Sequence, residues 1–308
     1  MSFISSMALV FSQTLLLWFL NTTSVLGMTT TQSQVNVDNF IQLGIEQIQL
    51  DHYSEALENF DRAIQIQPNS TEAYHSRCWV SVQLNDYPQA ILDCQKAVEL
   101  NDNDIESYLN LGIAYHSINN TEAAVAVYNY IIQQSPQEGR AYYNRGLVLT
   151  NTEDYLTAIS DYDRAVILSQ NLTSEEIAEI YLDRGIAYFL NQDLSKALSD
   201  FSQAITLNSA NPRSYYNRGC TYRRQGDMTH AIEDFTTVLS LNPSDVNTYV
   251  VRGKLYQEQG LYAKALTDFN QAAEYFIQQQ NQTAYVETIA LVKRLQQWLA
   301  SIDQTVSA

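Results

Sequence analysis

Residues 141–146 (AYYNRG) and 214–219 (SYYNRG) are two copies of one phrase. Their closing glycines, Gly146 and Gly219, belong to a column that also holds Gly44, Cys78, Gly112, Gly185 and Gly253, with every step 34 residues except the 39 from Gly146 to Gly185. A fixed period of this size marks stacked structural repeats. Twelve residues past each column member stands an alanine: Ala56, Ala90, Ala124, Ala158, Ala197, Ala231 and Ala265. Aromatic residues precede the column by four (Phe40, Tyr74, Tyr108, Tyr142, Tyr181, Tyr215, Tyr249) and follow it by sixteen (Phe60, Tyr128, Tyr162, Phe201, Phe235, Phe269), where the second repeat has Cys94. Spacings of three, four and eight within each half are those of a helix face, not of a strand. Each unit therefore reads as two amphipathic helices. The turn between them falls seven residues past the glycine column, at Asp51, Asn85, Asn119, Glu153, Gln192, Gly226 and Gly260. Pro88 is placed to open the second helix of its unit, where a missing N–H costs little. Glycine inside a helix costs roughly 1 kcal/mol relative to alanine, so its regular recurrence needs a compensating gain. Close approach of the paired helix at the alanine column is the expected one.

Seven units are expected at residues 37–70, 71–104, 105–138, 139–172, 178–211, 212–245 and 246–279. Over about four fifths of the chain these columns resemble the tetratricopeptide repeat family, and their wording is like that of bacterial, particularly cyanobacterial, members. The unit-end proline of that family is present at Pro68, Pro136 and Pro243 and missing elsewhere. The resemblance implies an all-α protein, a right-handed superhelical α-solenoid of seven helix-turn-helix repeats. Residues 280–308 are expected to supply a C-terminal capping helix and tail, because a terminal repeat otherwise leaves apolar surface exposed. The five extra residues before the fifth unit include Thr173 and Glu176, spaced as a capping box that would start the next helix early.

Charge and composition narrow the function classes. The 308 residues carry 34 acidic and 17 basic side chains, a net charge of −17. Binding to a phosphate backbone depends on clustered Lys and Arg, so nucleic acid is not an expected partner. Residues 1–36 contain no charged side chain, and residues 7–20 (MALVFSQTLLLWFL) are largely apolar. This N-terminal segment reads as an export signal cleaved after Val25-Leu26-Gly27, as an uncleaved membrane anchor, or as a cytosolic arm, so that the protein is exported, anchored or cytoplasmic accordingly. Membrane contact is expected only through that segment. The four histidines fall at unrelated repeat positions, and no phosphate-cradling loop or nucleophile elbow appears. The expectation is a protein that is not an enzyme and uses no metal or other cofactor.

The residue before the glycine column is Leu43, Arg77, Leu111, Arg145, Arg184, Arg218 and Arg252, while fifteen residues after it stand Asn59, Asp93, Val127, Asp161, Asp200, Asp234 and Asp268. Arg and Asp occur together in five units and are lost together in the other two, whereas pairing each Asp with the next unit's Arg agrees in only three of six steps. An ion pair between the two helices of one hairpin follows. Cys78 and Cys94 occupy a glycine and an aromatic position of the same hairpin. They read either as two small buried apolar residues or, in an oxidising compartment, as a disulfide.

In such a solenoid the first helix of every repeat lines the concave side. Family resemblance places the inward columns six and three residues before the glycine and one, four and five after it. The candidate groove is then apolar at Trp79, Leu109, Ile113, Tyr143, Leu182, Ile186, Phe189 and Leu190, and basic later, at Arg213, Tyr216, Arg223, Arg224 and Lys254. Members of the family that hold acidic chaperone tails use Lys and Asn three before and one after the glycine. No repeat here carries that pair. The expected function is a non-catalytic scaffold that binds a peptide or helix of a partner protein, with an acidic group at the basic end. The alternative is a self-associating structural protein whose groove is filled by its own N-terminal segment or by another copy.

Overall fold

The computed structural model describes residues 32–306. All but the last few residues of the expected targeting segment lie outside that range. Among the described residues there are only helices, none long and apolar enough to cross a membrane. The chain forms two compact units that meet at residues 170 and 171. In the first, four hairpins are built from α1 (Gln32–Gln49) and α2 (Tyr53–Ile66), α3 (Thr71–Gln83) and α4 (Tyr87–Leu100), α5 (Ile105–Ser117) and α6 (Thr121–Gln134), and α7 (Gly139–Asn151) and α8 (Tyr155–Ile167). The second holds α9 (Ser174–Leu190) and α10 (Leu194–Leu207), α11 (Pro212–Gln225) and α12 (Met228–Leu241), and α13 (Val246–Glu258) and α14 (Tyr262–Gln278), closed by α15 (Gln282–Val306). The fold is thus an α-solenoid of seven repeats with a capping helix.

Local chemistry sets the helix ends. Asp86, Asn120, Asp154, Asp193 and Asp227 recur eight residues past the glycine column, and each side chain accepts a hydrogen bond from the backbone N–H three residues on. A cap of this kind contributes about 1 kcal/mol. All seven turn residues are left-handed, from φ 58° at Asp51 to φ 85° at Gly226. Glu153 and Gln192 accept this conformation although they lack glycine's freedom. The reversal is held by a bond one residue later, from Asp154 N–H to the Leu149 carbonyl and from Asp193 N–H to the Tyr188 carbonyl, both 2.9 Å, which satisfies carbonyls at the helix end. At α9 the capping box forms as expected, Thr173 and Glu176 bonding reciprocally, and the helix runs 17 residues against 13 or 14 in the first helices of the neighbouring third, fourth, sixth and seventh repeats.

The gain that compensates the glycines is not the alanine column. A Cβ on Gly44 or Gly112 would fall 2.5 Å from a ring carbon of Phe60 or Tyr128, and Gly146, Gly185, Gly219 and Gly253 meet Tyr162, Phe201, Phe235 and Phe269 at 2.7–3.0 Å. Each ring lies flush on the opposing helix backbone and is fully buried. The aromatic column sixteen residues on needs the missing side chain, because any Cβ would displace the ring. In the second repeat the same two positions hold Cys78 and Cys94, joined as a disulfide.

Beside each ring sits the expected ion pair. In Arg77, Arg145, Arg184, Arg218 and Arg252, Nε and Nη2 donate to the two oxygens of the Asp sixteen residues later, at 2.6–2.9 Å. The third nitrogen does what the sequence did not suggest. Nη1 reaches back one hairpin, to Asp61 from Arg77, Asn129 from Arg145, Ser202 from Arg218 and Thr236 from Arg252. Each guanidinium also lies over the tyrosine three residues before it, 5.1–5.9 Å from the ring centre, a favourable cation–π placement. One side chain therefore ties two helices of its own hairpin and the hairpin before it.

A further link joins the second and third repeats. His75 Nδ1 lies 2.8 Å from Asp104 Oδ2 and 3.1 Å from Ser107 Oγ. Burial opposes charge on the imidazole, but the hydrogen bond and charge of Asp104, aided by Glu106 and Glu72, hold its pKa above the ordinary 6.5. Burial also opposes charge on Asp104, yet His75 and Ser107 hold its pKa below the ordinary 3.8.

Two outcomes follow from these contacts. The Asp161 side chain is 6% accessible and Arg145 19%, so Arg145→Leu strands a buried carboxylate and should cost about 3–5 kcal/mol. Asp161→Leu leaves an arginine that still reaches Asn129 and water, and should cost about 1–2 kcal/mol. Urea unfolding of the two variants and the double variant checks this; equal and additive costs would refute it. The pH dependence has a fixed sign. The His75 contribution is fully present below pH 6.5 and lost as pH rises through its elevated folded pKa, whereas the Asp104 contribution is present above pH 3.8 and lost as pH falls through its depressed one. The urea midpoint of the wild type should thus fall on going from pH 6.5 upward by more than that of His75→Gln.

Candidate functional site

Within each unit the first helices of successive hairpins touch, α1 with α3, α3 with α5, α5 with α7, and α9 with α11. That packing decides which inner columns stay open. Residues three before the glycine lie in the seam between hairpins: Ile41, His75, Leu109 and Tyr143 in the first unit and Leu182 in the second are all buried. Trp79 is buried as well, its ring edge-on to Tyr53 at 6.1 Å. Trp79, Leu109, Tyr143 and Leu182 are thus stacking residues and present no open anchor for a ligand. Ile113, Ile186 and Phe189 remain half-buried, and Leu190 is 39% exposed.

The charged inner column, six residues before the glycine, differs between the units. In the first it reads Asp38, Glu72, Glu106 and Arg140. The Arg140 guanidinium is spent on Glu106, at 2.9 Å from Nη1, and on Glu138, at 2.8 Å from Nε. The Glu72 carboxyl is held above the usual carboxylate range by burial and by the charge of Asp38, against the lowering effect of His75. Residues 1–170 carry six basic against nineteen acidic side chains, a net of −13, and residues 171–308 carry eleven against fifteen, a net of −4.

In the second unit the four expected basic residues divide. Arg213 Nη1 donates to Glu179 Oε2 at 3.0 Å, and Nη2 lies 3.7 Å from Asp183 Oδ1. Its charge is neutralised within the stack. Arg224 lies over the Phe189 ring at 5.0 Å and donates to the Phe189 carbonyl at 3.4 Å. Arg223 and Lys254 are exposed and have no ion-pair partner among the described residues. Tyr216 packs tilted on Phe235 at 5.6 Å. Beside it the Cys220 thiol is pushed up to about 11 by burial, with Tyr216 and Arg223 opposing. The site thus contracts from a broad basic end to two free cations, Arg223 and Lys254, beside a cation already seated on Phe189.

A signal for this was present in the sequence. Glu106 and Arg140, like Glu179 and Arg213, occupy one column in adjoining repeats, 34 residues apart. Opposite charges at equivalent positions of stacked neighbours predict pairing between hairpins, as Arg and Asp at two columns of one repeat predict pairing within it. The His75, Asp104 and Ser107 group has the residue types of a hydrolytic relay but not its geometry. Asp104 and Ser107 approach the same imidazole nitrogen, Ser107 Oγ donates to Asp104 Oδ2 at 2.6 Å, and Ser107 is inaccessible. A nucleophile needs the base on one nitrogen and its orienting carboxylate on the other.

Among solved structures, a tetratricopeptide repeat protein from Parabacteroides merdae superposes with a TM-score of 0.63 at 20% identity, over 85% of this chain and all of that one. Pseudomonas aeruginosa pilF gives 0.59 at 18% identity over 75% of this chain and 99% of that one, and YrrB, a TPR protein with an unusual peptide-binding site, gives 0.51 at 21% over 64% and 97%. No curated protein matches the chain. Family profiles described as tetratricopeptide repeat match residues 37–70, 105–138, 137–210, 212–245 and 246–276, and one described as TPR repeat matches residues 80–119. With nearly the whole helical region matched and the hairpin geometry agreeing, the chain belongs to the tetratricopeptide repeat family.

Proposed function

We propose that the protein is a non-catalytic adaptor that holds a segment of a partner protein on the inner face of its second unit, with an acidic group of that segment at Arg223 and Lys254. Tetratricopeptide repeat proteins bind protein or peptide partners, and YrrB among the similar structures has a peptide-binding site. The single observation that carries the finer reading is that Arg223 and Lys254, in columns the family resemblance places inward, stand exposed and without an ion-pair partner among the described residues, whereas Arg140, Arg213 and Arg224 are paired or stacked. A cation left unpaired in a protein of net charge −17 is available to an incoming acid and steers its encounter. Ile186, Phe189 and Leu190 offer the adjoining apolar area that resists dissociation. The same net charge argues against nucleic acid as the partner.

The test begins with capture of the native partner by cross-linking and continues with equilibrium binding at several salt concentrations. Reversing Arg223 and Lys254 to Glu should weaken binding about tenfold or more and flatten its salt dependence without lowering stability, since both are exposed. Phe189→Ala should chiefly speed dissociation. Arg213→Glu serves as the contrast, because it breaks a contact of the stack and should lower stability first. An affinity indifferent to the Arg223, Lys254 and Phe189 changes would move the binding surface elsewhere.

A further inference from the structure

Six repeats place a glycine and an aromatic ring against each other at positions sixteen residues apart; the second repeat places Cys78 and Cys94 there. The two are bonded, their Cα atoms 5.1 Å apart, and neither is accessible to solvent. The replacement is paired for a steric reason. Since a Cβ at the glycine position comes within 2.5–3.0 Å of the ring in the other hairpins, a cysteine there requires the ring to be gone. Two free thiols do not fill the volume of a Phe or Tyr, and an unfilled core site is costly. A bond between them closes the hairpin where packing no longer does. Leu111 of the next repeat, with Ile91, Tyr115 and Val127, covers the sulfurs.

We propose that Cys78–Cys94 is a permanent structural cystine that takes the place of the glycine–aromatic lock in the second repeat, and that the protein therefore folds and works in an oxidising compartment outside the cytosol. This inference is independent of the ligand reading. Formation of the bond needs an oxidant, which is the disulfide of a thiol–disulfide oxidoreductase. One cysteine thiolate attacks that disulfide, forming a mixed disulfide and releasing one thiol of the oxidoreductase. The second cysteine thiolate attacks the mixed disulfide at the first cysteine's Sγ and releases the other. The two electrons and two protons of the cysteine pair end on the oxidoreductase dithiol. Reshuffling afterwards requires a thiolate, and Cys220 supplies little: its thiol, pushed up to about 11 by burial, is almost wholly protonated at neutral pH.

The experiment has two arms. Protein recovered from its native cells is denatured in N-ethylmaleimide and mapped by mass spectrometry: the proposal expects one alkylated cysteine, Cys220, and a linked Cys78–Cys94 peptide. Three alkylated cysteines would overturn it. In the second arm the full-length wild type and the C78G/C94F double variant, which restores the pair used by the other repeats, are melted with and without a phosphine reductant. Reductant should lower the wild-type Tm by roughly 5 °C or more and speed hydrogen exchange in α3 and α4, and should leave the double variant unmoved. A wild type indifferent to reductant, or a double variant equally sensitive to it, would show that the bond does not lock the hairpin.

Discussion

The stack depends on one arginine per hairpin in five of its seven repeats. A planar guanidinium offers donors on three sides: in all five, two sides grip a buried aspartate of the same hairpin, and in Arg77, Arg145, Arg218 and Arg252 the third reaches the hairpin before it. A lysine could not do this, because it carries a point charge without a fixed fork. The carboxylates are no more than 7% accessible in these pairs, so any misregistration would strand a charge. Buried pairs of this kind add little net stability over apolar packing; what they supply here is a penalty against sliding. The two repeats with leucine in the arginine position dispense with this grip.

The same packing limits what the inner face has to offer a partner. First helices that touch their neighbours absorb the column three residues before the glycine into the seam, and in the column six before it the opposite charges of Glu106 and Arg140, and of Glu179 and Arg213, neutralise each other. Few side chains escape both effects. Arg223 and Lys254 are distinguished less by their identity than by having no ion-pair partner among the described residues, while Phe189 already carries Arg224 of the next repeat over its ring. In a repeat protein, a residue's availability is a property of the repeats on either side.

This also explains what the sequence revealed and what it concealed. The glycine and aromatic columns, the turn positions and the Arg–Asp pairing inside hairpins were legible because each is a spacing within one repeat. The ring resting on glycine was misassigned to the alanine column, since both columns recur with equal regularity and periodicity alone does not say which of them touches. The burial of Trp79, Leu109, Tyr143 and Leu182 was not legible from family columns, because an inward-pointing direction does not tell whether the next hairpin covers the side chain. The reach of Arg77, Arg145, Arg218 and Arg252 into the preceding hairpin was hidden by chemical variety: its acceptors are Asp61, Asn129, Ser202 and Thr236, which share an oxygen but no charge.

The contact between glycine and ring also orders the history of the second hairpin. If the repeats arose by duplication of one unit with that pair, the two positions could not have changed in either order with equal ease. Cysteine at the glycine position, arriving first, would have met the ring within van der Waals distance and pushed the helices apart. Cysteine at the aromatic position, arriving first, would have left a void, a cost in stability but no clash with the opposing helix. On that premise the route with the smaller steric obstacle changes the aromatic position first and the glycine position second, the second cysteine closing the gap the first had opened.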